Sequence, residues 1–238
     1  YRTGSQGPPI VLYDYQETRE GQHPRDFLKG FKGYLQTDGY AGYHNMPDVI
    51  LCGCWAHLRR KFDEALKGLP AKKRASGSRA QGAINQIRQL FDIERQLKRC
   101  TPEERLTLRN QRSRKIAENF HEWLLEIRPG ILPKSLLGTA VTYGLNQWEN
   151  LVRFLEDGRV ELDNNRAERS IKPFVIGRKN WLFANTPKGA RASATIYSII
   201  ETAKENRLNP YAYLNHLFET LPNLDSRDDA TLEALLPW

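Results

Sequence analysis

The sequence predicts an α/β fold in which a small sheet near the start of the chain is followed by long helical stretches. Strand-like apolar runs bounded by turn residues occur in the first 55 residues. From about residue 71 to residue 158 the apolar residues recur at helical spacing with no strand signal between them, and the last third is helical again. We therefore predict an α/β core in residues 1–70 and 159–208, a helical insertion in residues 71–158, and a helical C-terminal segment in residues 209–238.

The predicted core begins with strands and helices in alternation. Asp38-Gly39 is a turn signal at the end of a strand-like run. After a second run, Leu58, Phe62, Ala65 and Leu66 follow helical spacing and form the predicted buried face of a helix. The predicted elements, in order, are a strand at 10–15 preceded by a strand tail and a Gly/Pro turn, a helix near 23–31, strands at 34–37 and 49–54, and a helix at 56–69.

Capping and stop signals divide the rest of the chain into helices. The run from Thr101 to Glu104 is a capping box with proline at the first helical position, and Pro129-Gly130 is a stop signal. Asn209 is a predicted N-cap. These signals predict helices at about 102–127, 133–157, 190–208, 210–221 and 229–236.

The composition indicates a partner of opposite charge. The chain has 36 Lys and Arg against 28 Asp and Glu, a net charge of +8, and this balance favours a polyanion such as nucleic acid. No apolar run approaches the roughly 20 residues that span a bilayer, and no secretory signal is present, so we expect no membrane partner and a cytoplasmic location. Three cysteines are an odd number and do not suggest a disulfide framework.

One carboxylate, Glu168, lies in a short predicted helix that is otherwise rich in amides and cations. Asn164, Glu168 and Lys172 are spaced at i, i+4, so they share a helical face. Asp163 is the predicted cap, and Pro173 is expected to end or bend the helix. Nearby Arg166, Arg169 and Lys172 favour the ionised form of Glu168, which suits a hard metal ion beside phosphate. The alternative is a surface acid with ion-pair partners.

Asp38 is the second candidate acid. It follows a predicted strand, and strand ends are where α/β sheets place functional groups. Two acids far apart in sequence, Asp38 and Glu168, suit two-metal phosphoryl chemistry, although such a site needs a third. The alternative is a turn aspartate that binds its own backbone.

The segment CGCWAHLRRKF contains three residue types that bind zinc. Cys52, Cys54 and His57, with Cys100 as a fourth, would make a zinc site, but the spacing matches no familiar finger. Burial of the two cysteines beneath the following helix is the interpretation we favour. Arg59 and Arg60 either touch phosphates or are simply solvated.

Residues 166–191 contain seven Lys and Arg and one acid. Cations neutralise phosphates and aromatic rings stack on bases, so this segment suits a nucleic-acid groove. We expect Arg178 and Lys179 to bind the DNA backbone together with Arg166, Arg169 and Lys172. For Phe174, Trp181 and Phe183, burial with Val175 and Ile176 in a core is an equal alternative.

Five segments, in order along nearly all 238 residues, resemble the catalytic half of DDE transposases of the insertion sequence sixty-six type. These segments are YLQTDGYAGY, CGCWAHLRRKF, DNNRAERSIKPFVIGRKNWLF, GARASATIYSIIETAKENRLNPYAYL and LLPW.

The resemblance implies a ribonuclease H-like core, Mg²⁺ (with Mn²⁺ as a substitute), and a bacterial enzyme that joins insertion-sequence ends to target DNA by transesterification. It implies that Asp38 and Glu168 are the second and third acids of the triad and metal ligands. Cys54 and His57 resemble the C-x-x-H signature of such enzymes, and the helical stretch resembles their insertion domain. DNA is the implied partner, bound by a homo-oligomer.

The first acid of the triad departs from this pattern. It belongs on the first strand of the core, and the pieces before Asp38 fit the second and third strands. Asp14 leaves too few strands between itself and Asp38, so we expect the first aspartate upstream of Tyr1. This chain alone is then expected to bind DNA but to cleave it poorly. The alternatives are an inactive DNA-binding or assembly fragment of a degraded mobile element, and a nuclease without strand transfer.

Overall fold

The computed structural model of the protein is α/β and mostly helical. It describes residues 1–4, 7–70, 77–181 and 184–238, and of residues 178–181 it describes the backbone alone. The chain divides into two compact units, one of residues 20–164 and one of residues 1–19 with 165–238. The domain boundaries predicted from the sequence stay a prediction.

The sheet of the 20–164 unit is a parallel pair of strands. Helix α1 (Gln22–Phe27) precedes β1 (Gly33–Gln36), and β2 (Val49–Cys52) pairs with β1 so that Gly33 lies opposite Val49. Parallel strands need a crossover, which here is the loop that contains a 3-10 turn at Ala41–Tyr43. Both strands agree with the sequence prediction to within two residues, whereas α1 ends four residues early.

In the part of this unit that the structure describes, six α-helices follow β2. The capping box at Thr101 is confirmed: its hydroxyl accepts from the Glu104 N–H, and the Glu104 carboxylate accepts from the Thr101 N–H. Two stretches predicted as single helices are each divided, at Ser113 and at Gln147. The helices are α2 (Trp55–Lys67), α3 (Arg79–Gln96), α4 (Pro102–Arg112), α5 (Arg114–Ile127), α6 (Leu136–Asn146) and α7 (Trp148–Val152).

The core of this unit is an aromatic cluster centred on α2. Trp55 and Phe62 are fully buried, and both rings contact Phe120 of α5 at centroid distances of 5.7 and 6.1 Å. The Trp55 indole N–H donates to the Leu151 carbonyl at 2.8 Å, which satisfies its buried polar group. Burial of each such side chain contributes about 1.5–3 kcal/mol. The predicted apolar face of α2 is therefore confirmed.

Arg109 of α4 is a fully buried cation at the centre of the helical region. Its Nε and Nη2 atoms each donate to one carboxylate oxygen of Glu94 at 2.7 Å. Its Nη1 donates to the carbonyls of Phe154, Asp157 and Val160 at 2.8, 3.2 and 2.9 Å. A buried charge is tolerated where it is paired and its donors are satisfied, so Arg109 ties α3 and α4 to the segment that follows α7.

The described residues of the second unit form four α-helices. Asn209 is the N-cap of α10, as predicted, and accepts from the N–H groups of Tyr211 and Ala212. None of the helices in the described part of the chain is both long and apolar enough to cross a membrane. The four are α8 (Asn165–Trp181), α9 (Pro187–Glu205), α10 (Pro210–Thr220) and α11 (Asp229–Glu233).

The prediction for Pro173 is wrong in part, because α8 continues through it to Trp181. An interior proline removes one helical hydrogen bond and costs about 3 kcal/mol. Packing offsets this cost: the neighbouring Phe174 ring lies between Tyr13 and Tyr197, at centroid distances of 5.4 and 5.1 Å.

The predicted strand at 10–15 is also corrected. Among the described residues near the N-terminus, antiparallel pairing is limited to the bridge between Arg2 and Val11. Beyond it, side chains of α9 replace a second strand: Thr202 Oγ1 accepts from the Val11 N–H at 3.0 Å, and Ser198 Oγ accepts from the Tyr13 N–H at 2.8 Å. Helix hydroxyls satisfy the backbone groups that a sheet neighbour would otherwise bind.

We predict that Arg109→Met lowers the free energy of unfolding by about 3–5 kcal/mol, because it leaves Glu94 without its buried counter-ion and three carbonyls without a donor. Urea denaturation measures this. The matched control is Arg95→Met, which removes an exposed ion pair with Asp92 and should cost under about 1 kcal/mol. Equal losses of unfolding free energy in the two variants would contradict the stabilising role assigned to the buried Arg109.

Candidate active site

Asp38 lies immediately beyond the paired end of β1, as predicted. The Thr37 N–H donates to the Cys52 carbonyl at 2.9 Å, which extends the strand pairing by one residue. Asp38 is exposed, and its Oδ1 accepts from the Tyr40 N–H at 3.0 Å. The turn interpretation is therefore confirmed for Oδ1. Oδ2 accepts no hydrogen bond from the part of the chain that the structure describes, so one oxygen is left for a ligand.

Tyr143 of α6 contacts the Asp38 turn and was not found by sequence reasoning. Its hydroxyl donates to the Asp38 backbone carbonyl at 3.0 Å. The Lys61 ammonium lies 4.8 Å from the centroid of its ring. Burial, followed by electrostatic interaction with Cys54 and Asp38, raises the pKa of Tyr143 to about 12, so the phenol remains a proton donor in neutral solution.

Gly53, the glycine of the CGC segment, lies close to Leu151. A Cβ atom there would lie 3.1 Å from the Leu151 backbone nitrogen and 3.2 Å from its side chain, so a larger residue would require Leu151 to shift by a few tenths of an ångström. The Gly53 N–H donates to the Asn150 carbonyl at 2.8 Å, and the Trp55 N–H donates to the Leu162 carbonyl at 3.1 Å. The end of β2 is thus bonded to residues 150–162.

Cys54 contacts the residue that precedes the Glu168 helix. Its sulfur accepts from the Asn164 N–H at 3.4 Å, and Asn164 is joined directly to the first residue of α8. The predicted burial of Cys52 and Cys54 is confirmed, and burial raises the pKa of Cys54, and that of Cys52 to about 12. Among the described residues, no three His, Cys, Asp or Glu side chains form a group that could hold a metal ion.

Glu168 lies in the first turn of α8, half-buried, and Lys172 is exposed one turn later. The helix begins at Asn165, which makes Asn164 rather than the predicted Asp163 the residue before its first turn. The Tyr13 hydroxyl donates to the carbonyl of Ser170, two residues beyond Glu168. The turn that carries the acid is therefore bonded to the N-terminal segment.

Glu205 of α9 interacts electrostatically with cations of α8. Arg2 is nearly buried and donates from both terminal nitrogens to Glu205, at 2.7 and 2.6 Å. The pKa of Glu205 lies below its usual range, chiefly through this pair and further through the charges of Arg166 and Arg169. Part of the positive charge of Arg166 and Arg169 is thus balanced by Glu205.

The other predicted DNA-binding residues are distributed over both units. Arg59 and Arg60 are exposed on α2, and Arg169 is exposed on α8, whereas Arg166 is half-buried. The side chains of Arg178 and Lys179 lie outside the described residues. Asp38 belongs to the 20–164 unit and Glu168 to the other, and their convergence stays a prediction.

The aromatic residues of the basic segment do not behave as one set. Phe174 is half-buried between two tyrosine rings, which favours the core interpretation. Val175 and Ile176 are 51% and 62% exposed, which contradicts the core alternative for these two residues. The side chain of Trp181 and all of Phe183 lie outside the described residues.

Comparison with known proteins decides the family. Residues 1–192 match the family described as Transposase IS66 family, and residues 198–238 match the family described as IS66 C-terminal element. The chain belongs to the IS66 transposase family. The resemblance noted from the sequence is thereby confirmed, and family membership supports a transposase-related role.

Two proteins from Sinorhizobium fredii are similar to this chain over nearly its whole length. Uncharacterized protein y4qI is 35% identical over 99% of this chain, and Uncharacterized protein y4hP is 33% identical over 99%. In each case the match covers 44% of the relative, so the chain spans less than half the length of these curated relatives. No solved structure matches the chain.

We predict that iodoacetamide at about pH 8 labels Cys100 in the folded protein well before Cys52 and Cys54. The buried thiols stay protonated because their pKa values are raised, and only the thiolate reacts. Mass spectrometry of tryptic peptides follows the labelling, and unfolding in urea should make all three cysteines reactive. Native labelling of Cys54 at the rate of Cys100 would contradict the assigned environment.

Proposed function

We propose that this chain forms catalytic machinery of an IS66 DNA transposase, with a ribonuclease H-like core that carries out metal-dependent DNA cleavage and strand transfer. Asp38 and Glu168 are the proposed metal ligands. The observation that carries the proposal is the position of Asp38: it follows directly on a parallel strand, it is exposed, and Oδ2 is left for a ligand. Family membership supports the transposase class.

The carboxylate oxygens of Asp38 and Glu168 are of the ligand type that fits Mg²⁺. Mg²⁺ prefers carboxylate oxygens and keeps several waters, and an exposed carboxylate at a strand end meets both needs. Asp38 and Glu168 supply two acids, and the described residues hold no ready group of three. Bound Mg²⁺ would stabilise the negative charge that develops on the phosphate during displacement.

Exposed cations are the proposed contacts to DNA. Arg59 and Arg60 on α2, and Arg169 and Lys172 on α8, present guanidinium and ammonium groups to solvent. Each phosphate that such a group neutralises releases counter-ions, which gives affinity without sequence preference. The proposed partners are insertion-sequence ends and target DNA, bound by a homo-oligomer.

A DNA-binding or assembly role without catalysis is the second candidate. The observation that favours it is the hydrogen bond from the Tyr40 N–H to Asp38 Oδ1, because an acid that stabilises its own turn needs no metal to account for it. In that case Asp38 and Glu168 would serve structure alone.

We expect Asp38→Asn and Glu168→Gln, each made in the full-length protein, to reduce strand transfer by more than about 100-fold. Loss of a direct metal ligand should exceed the 10–100-fold cost of losing an outer-shell partner. The amides keep nearly the same volume, so melting temperature and DNA affinity should change little. A strand-transfer assay on insertion-sequence ends with Mg²⁺ or Mn²⁺ gives the rates.

Asp14→Asn is the matched control. Asp14 is an exposed acid that we reject as a member of the triad, so its substitution should leave strand transfer near the wild-type rate. Full activity of both Asp38→Asn and Glu168→Gln would overturn the catalytic proposal and favour the assembly role. Cleavage without strand transfer by the wild-type protein would indicate a nuclease instead.

A further inference from the structure

Helix α6, from the predicted helical insertion, reaches the turn that carries Asp38. The Tyr143 hydroxyl donates to the Asp38 carbonyl at 3.0 Å, although 105 residues separate the two in sequence. This bond acts on the backbone of the acid itself. It therefore restrains the peptide from which the carboxylate projects.

Gly39 shows how closely the turn is held against α6. Its φ of +89° is a conformation that glycine adopts readily. A Cβ atom at this position would lie 3.2 Å from the Tyr143 hydroxyl oxygen and 3.4 Å from Cδ of Gln147. The helix thus packs on the turn as well as binding it.

Tyr143 is itself fixed from a third direction. Lys61 of α2 lies over its ring at 4.8 Å, a cation–π distance. Helix α2 follows β2, and β2 pairs with the strand that ends before Asp38. Tyr143 is therefore held between α2, which follows β2, and the turn that carries Asp38.

We infer that Tyr143 is a positioning residue for Asp38. Through its hydrogen bond, helix α6 holds this acid in place for metal binding. This inference rests on the proposed function. The Tyr143 bond holds the carbonyl of Asp38, and the Tyr40 N–H holds Oδ1, so that Oδ2 is presented in one orientation. Such support reduces the reorganisation that a metal ligand must undergo on binding.

The test is Tyr143→Phe in the full-length protein, with Mn²⁺ affinity measured by isothermal titration calorimetry. Removal of the hydroxyl leaves the ring packing intact, so melting temperature and DNA affinity should hold. We expect Mn²⁺ to bind about 10-fold more weakly, and the Mn²⁺ concentration that half-saturates strand transfer to rise in parallel. A residue that serves stability alone would lower the melting temperature without changing Mn²⁺ affinity.

Tyr211→Phe is the matched control, since Tyr211 is 75% exposed and should give wild-type values throughout. Gln147→Ala, which loosens the same turn without removing the hydroxyl, should weaken Mn²⁺ binding in the same direction. Wild-type Mn²⁺ affinity in both Tyr143→Phe and Gln147→Ala, with binding lost in Asp38→Asn, would overturn this inference and leave the proposed function standing. Unchanged Mn²⁺ affinity and activity in Asp38→Asn would instead overturn the proposed function.

Discussion

The hydrogen bonds that join the end of β2 to residues 150–162 are the constraint on which the candidate site depends. The Gly53 and Trp55 N–H groups bind carbonyls of Asn150 and Leu162, and the Gln36 side-chain amide binds the Glu161 carbonyl at 2.7 Å. A buried backbone group that loses its hydrogen-bond partner costs about 1–3 kcal/mol. These bonds therefore hold residues 150–162 against the end of β2. The same contacts bring Asn164 to Cys54, one residue before the helix of Glu168.

Local signals predicted the elements whose ends are set by local chemistry. Thr101 and Asn209 cap helices as expected, because a side-chain oxygen beside free N–H groups acts within one turn. Pro173 was misjudged because its cost is offset by Phe174, which packs against rings from two other segments. Similarly, nothing near Val11 shows that its backbone partner is a threonine 191 residues away.

The candidate site shows the same division between local and distant information. Asp38 could be predicted because a strand and a turn signal lie on either side of it. Tyr143 could not, because the apolar stripe of its helix gives no indication of what the tyrosine contacts. Gly53 carried a weak signal: glycine between two buried cysteines implies a close approach, and the sequence does not reveal that the neighbour is Leu151.

The side chains of α8 also limit how the proposed DNA partner would be bound. Phe174 is committed to the tyrosine rings of its own unit, so it is not available to stack on a base. The exposed cations Arg169 and Lys172 remain, and Glu205 balances part of the charge of Arg169. Binding by such groups acts on phosphates, weakens steeply with salt, and reads little sequence. Under the proposed function, recognition of particular insertion-sequence ends would therefore require base contacts from other side chains than these.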